Sequence, residues 1–134
     1  MRLSLLLLWG CDDTLFGVLP EGAADTGDPV VLSPDYVADV EPIWLDHCAG
    51  CHTDGGASGE LALDAGEAAL VSVSASQAPE LALVEPGDPS RSYLWLKVTG
   101  AEGIAGQPMP FGAPLSEGHL GTVEAWILEV VPYQ

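Results

Sequence analysis

The stretch "HCAGCH", residues 47–52, decides how the rest of the chain is read. Two thiols separated by two residues, with an imidazole directly after them, can be a redox dithiol, half of a zinc or iron–sulfur site, or a haem attachment point. The surroundings separate these chemistries. A thiol–disulfide oxidoreductase carries its dithiol at the start of a helix beside a parallel sheet, whereas here the motif follows a helical pattern and no strand–helix–strand pattern surrounds it. Zinc asks for four ligands, usually with a second close pair of Cys or His, and only His47 and His119 remain, which form no such pair. An iron–sulfur cluster needs about four thiolates, and two are at hand. Haem attachment needs two thiols spaced for two vinyl groups on one porphyrin edge and a histidine placed under the iron. Cys48, Cys51 and His52 meet that requirement.

Working outward, the spacing of Tyr36, Val37, Val40, Ile43, Trp44 and His47 predicts a helix before the motif, capped by Ser33 and begun by Pro34. Pro42 should kink or split it near Glu41. After the motif, Gly55, Gly56 and Gly59 make a loop, "ELAL" (60–63) is a short extended piece, and Asp64 with Glu67 opens a short helix through Leu70. Pro86 and Gly87 form a turn. Asp88 then caps a helix that begins at Pro89, runs to about Val98 and is ended by Gly100. "AEGIAGQPMPFGAPL" (101–115), with three prolines and three glycines, is a loop. Ser116 caps a last helix whose stripe is Leu120, Val123, Trp126, Ile127 and Val130, ending near Val131.

The sixth position on the iron has two candidates. Met109 is the only methionine besides Met1, and it is stiffened between Pro108 and Pro110. His119, in the first turn of the last helix, is the rival, for bis-histidine ligation. His47 should lie off the iron axis. Arg91 and Trp95 share a helix face, which a surface Arg–Trp stack would explain.

The chain has 134 residues, enough for one domain and too few for two with full cores. Asp plus Glu number 20 against 3 Lys plus Arg, a formal charge of −17. That surface repels nucleic acid and anionic membrane and favours partners with a basic docking face, which the haem reading of the motif would make redox proteins. The chain opens with "MRLSLLLLWGC", a short apolar run after Arg2 that has the shape of a lipoprotein-type export signal and is too short to span a bilayer. Residues 1–10 are read as this signal segment, Cys11 as the lipidated residue, 11–33 as an acidic flexible tether, and 34–134 as the haem domain. The expectation is an exported protein, periplasmic or at the outer cell surface, monomeric and touching membrane only through its lipid.

The order "VEPIWLDHCAGCH", "GELAL", "VEPGDPSRSYLWLKV" and "MPFGAPLSEGHLGTVEAWI", from Val40 to Ile127, resembles a monohaem class I c-type cytochrome. Within that class it is similar to the short domains of exported bacterial proteins called planctomycete-type cytochrome c. The resemblance implies a mainly α, class I cytochrome c-like fold of three to five helices, with long loops wrapped around one covalently bound haem c. It also implies thioethers at Cys48 and Cys51, His52 as proximal ligand, Met109 as distal ligand, and Val40 and Ile43 packed against Val123 and Ile127. Phe111 stands where the family usually has a second proline, and Glu117, Gly118 and His119 open the last helix less firmly than is usual. The function implied is one-electron transfer without enzymatic turnover. A haem-based small-ligand sensor, a peroxidase-like module with an open sixth site, and a non-haem dithiol redox module are the alternatives.

Overall fold

In a computed structural model, the described residues are 33–53 and 58–133. The signal segment 1–10, the lipidation position Cys11 and the tether as far as residue 32 lie outside them.

The chain enters through a single π-helical turn, Tyr36–Val40, which runs directly into α1, Glu41–His47. The kink expected at Pro42 takes this form. Proline at the second position of α1 has no N–H to donate, and the wider turn before it lets the Glu41 N–H reach back to the Tyr36 carbonyl. The cap is Asp35 rather than Ser33: its carboxylate accepts the Ala38 N–H at 2.8 Å, and the Asp39 carboxylate returns the favour to the Asp35 N–H.

After the motif, a 3₁₀ turn at Glu67–Ala69 precedes a two-stranded antiparallel hairpin, β1 (Ser74–Ala75) and β2 (Ala78–Ala82). A second 3₁₀ turn, Pro89–Arg91, leads to α2, Tyr93–Thr99. The helix expected as one piece from Pro89 to Val98 breaks at Ser92. This serine is fully buried, and its hydroxyl donates to the Asp88 carbonyl (2.8 Å) and accepts the Glu85 N–H (2.9 Å). A side chain bonded this way competes with the helical ladder and holds its own backbone extended, at φ −93°, ψ 104°. Gly100 ends α2 in the left-handed conformation, φ 67°, which only glycine adopts without strain. The last helix, α3, spans Glu117–Glu129 with the Ser116 hydroxyl accepting the His119 N–H.

The expected mainly α, class I cytochrome c-like fold of three to five helices is not what the chain builds. Helices of every kind take up 39% of the described residues, two of the three α-helices have seven residues each, and a β-hairpin packs beside α2. The architecture is a mixed one in which irregular backbone joins short elements. The hairpin has a weak signature in sequence, since Ser and Ala have little strand preference and Pro79 sits inside β2.

One buried cluster joins these pieces. Val40 and Trp44 from the first helical segment, Leu70 and Val84 around the hairpin, and Val123 and Ile127 from α3 are all fully buried in it. At one end the Tyr36 and Trp126 rings lie 5.3 Å apart. Glu67 ties the 3₁₀ turn to α3 and the C-terminal tail, accepting the Trp126 indole N–H at 2.6 Å and the Tyr133 hydroxyl on its other oxygen.

Truncating Ile127 to Ala removes a fully buried side chain at the centre of this cluster. The expected loss is about 2–5 kcal/mol in urea unfolding at unchanged slope, and a loss under ~1 kcal/mol would mean that α3 does not carry the core.

Candidate functional site

The turn that ends α1 delivers the motif. The backbone N–H groups of Cys51 and His52 both donate to the Cys48 carbonyl, at 3.1 and 3.0 Å, so the three side chains emerge from one tight turn. The His52 carbonyl in turn accepts the Leu63 N–H at 2.8 Å, which fixes this wall against the segment after the glycine loop.

Cys48 and His52 line an open cavity of about 940 Å³, solvent-facing space included. Its walls are mostly apolar: Trp44, Leu61, Leu63, Leu83, Leu94 and Val98, with Tyr93 and Lys97 from α2. Met109 and Phe111 also belong to the lining. Two of the expected iron ligands, widely separated in sequence, therefore face one cavity together with one of the two thiols. Cys51 is exposed and is not part of the lining, yet it is near enough to Cys48 for its charge to act there.

His119, the rival to Met109, does not line this cavity. Its ring stands 5.1 Å from that of His47 and it lines a different groove with Pro42, Asp46 and Thr122. His47, expected off the iron axis, is exposed. Arg91 is also exposed, and Trp95 packs against the core cluster.

The residues of the cavity suit a haem. Among the described residues His52 Nδ1 is buried with no hydrogen-bond partner, as is His119 Nδ1 outside the cavity, an arrangement that costs about 1–3 kcal/mol unless something compensates for it. An imidazole in that condition, a thioether and a thiol, all facing apolar walls, form the donor set that haem uses. Burial pushes the Cys48 thiol up to about 11, with the neighbouring Cys51 adding to it. Burial also lowers the pKa of Lys97 from its ordinary value.

Lys97 and Tyr93 are the site residues that sequence reading passes over. Lys97 is the chain's only lysine. A lone cation inside an apolar helical stretch of so acidic a chain was the available signal.

Residues 48–110 match the family model described as Planctomycete cytochrome C. The matched span opens on Cys48 and closes one residue past Met109, so it contains both thiols, His52 and Met109 and excludes α1, α3 and His119. The match supports a cytochrome c-type domain, and such a domain implies covalently attached haem c and a role in electron transfer. No curated protein and no solved structure matches the chain. No helix among the described residues is long and apolar enough to cross a membrane.

In the haem-free chain at pH 8, about one Cys48 in a thousand is thiolate, given a pKa near 11, and the group is half-buried. Iodoacetamide should therefore label the exposed Cys51 well before Cys48, as read by peptide mass mapping. Equal labelling rates would contradict the burial of Cys48.

Proposed function

On the premise of a cytochrome c-type domain at residues 48–110, we propose that the chain is a one-electron carrier, with haem c joined to Cys48 and Cys51 and ligated by His52 and Met109. The observation that carries this reading is the shared cavity of Cys48, His52 and Met109, from which His119 stands apart. Haem with both axial positions filled supplies outer-sphere one-electron exchange and leaves no open site for substrate.

The chain's own part is to bind, to hold and to shield. Cys48 and Cys51 would anchor one edge of the group, and the short turn they share with His52 fixes the thiol and imidazole positions relative to one another. Apolar walls from Trp44, Leu63, Leu94 and Val98 would lower the polarity around a bound haem, which favours the state of lower charge and would raise the potential. A thioether at the sixth position acts in the same direction, since it accepts electron density. Ligands held by packed elements move little between charge states, which keeps electron exchange fast.

Partner choice follows charge. With a formal charge of −17, the chain suits a partner that presents a basic face. Export fits the same reading, because thioether attachment occurs outside the cytoplasm, and a lipid on Cys11 would hold the carrier at a membrane surface.

The test is the visible and near-infrared spectrum of chain produced with haem-maturation machinery. Low-spin bands with a weak near-infrared ferric band are expected. Met109→Ala should abolish that band and lower the midpoint potential, while His119→Ala leaves both unchanged. A wild-type spectrum without that band, unchanged in Met109→Ala and altered in His119→Ala, would give the sixth position to His119.

A further inference from the structure

Met109 sits on a loop without helix or strand, and the face of α2 that meets this loop makes the hydrogen bonds that hold it. Lys97 is buried, yet its ammonium donates to two loop carbonyls, Ala105 at 2.8 Å and Gln107 at 2.7 Å. The carbonyl of the same residue accepts the Met109 N–H at 2.9 Å. One helical turn earlier, the hydroxyl of buried Tyr93 accepts the Ala105 N–H at 3.0 Å and donates to the Gln77 side chain at 3.3 Å. Residues four apart share a helix face, so α2 grips the loop at Ala105 from both sides of its peptide, at Gln107 and at Met109. Behind the grip, Gly100 lies so close to Pro108 that a Cβ built on it would stand 3.4 Å from the proline ring.

We propose that Tyr93 and Lys97 are positioning residues for Met109, fixing the backbone of 105–109 so that the thioether faces His52 across the cavity. The inference rests on Met109 as the sixth ligand. Both residues also line the cavity, and it is their hydrogen bonds to the loop that bear on Met109. A buried ammonium met by carbonyl oxygens is suited to this work, because charge-assisted hydrogen bonds are about twice as strong as neutral ones. It also gathers two carbonyls that a loop this rich in proline cannot satisfy with its own N–H groups. If the grip loosens, the sulfur is held less firmly and an outside ligand displaces it more easily.

The experiment uses the haem-loaded full chain, with imidazole as the competing ligand for ferric iron. Tyr93→Phe keeps the ring and removes one loop contact, and loss of one hydrogen bond predicts a rise of about twofold to tenfold in imidazole affinity. Lys97→Gln should raise it further, weaken the near-infrared ferric band and lower the potential, whereas Lys97→Arg, which keeps a multiple donor, should recover most of the wild-type behaviour. Haem content and far-UV circular dichroism are followed in parallel. Should Lys97→Gln not accumulate, Tyr93→Phe decides on the same readouts. Wild-type band, potential and imidazole affinity in Tyr93→Phe and Lys97→Gln would overturn the proposal. Met109→Ala, run alongside, separates the two ideas: a wild-type band there would remove the ligand assignment itself, whatever the other variants do.

Discussion

The ammonium of Lys97, shared between the carbonyls of Ala105 and Gln107, is the interaction on which the Met109 side of the cavity depends. Every buried backbone group needs a partner, and a segment with Pro108, Pro110 and Pro114 has too few N–H groups to make a helix or a ladder. Ala105 and Gln107 are themselves exposed, yet α2 ties their carbonyls down through the Lys97 ammonium. The His52 side solves the same problem with backbone alone, through the Cys48 carbonyl and the Leu63 N–H to His52. The site is thus built from two irregular segments, each fastened to a short helix.

Much of the site was legible because its chemistry is written in rare residues at fixed spacing. The motif at 48–52, the single internal methionine and the proline fence around it could be read from the sequence alone. Hydrogen bonds that cross between elements could not. The grip of Tyr93 and Lys97 joins residues eight to twelve positions from their partners through a helix end and a loop, and no periodicity reports such a contact. The same limit hid which of Met109 and His119 shares a cavity with His52. Both are plausible ligands by residue type, and only the packing of the first turn of α3 beside His47 puts His119 at a different groove.

The fold was less legible than the site. Caps and stripes located α3, because Ser116 and the row Val123, Trp126 and Ile127 act locally and agree with the burial. Asp88 and Pro89 gave an equally good local start for a helix, yet the buried Ser92 hydroxyl took the bonds that would have continued it. The hairpin depended on Ala75 and Ala78 packing against Tyr93, a contact between weak strand formers and a helix that lies further along the chain. Where local and tertiary preferences agreed, the sequence sufficed; at Ser92 and in the hairpin tertiary contacts decided.

The placement of charge completes the picture. Twenty acidic side chains act from a distance in water, where salt at physiological strength screens them beyond about 8 Å. They shape the approach of a partner and contribute little to a buried group. Lys97 is instead held by carbonyl dipoles at 2.7 and 2.8 Å, well inside the screening length. The two electrostatic systems are therefore separable: ionic strength acts on the acidic surface while leaving the Met109 loop in place. On the function proposed above, that separation would keep the geometry around Met109 constant while encounters with other molecules respond to the surroundings.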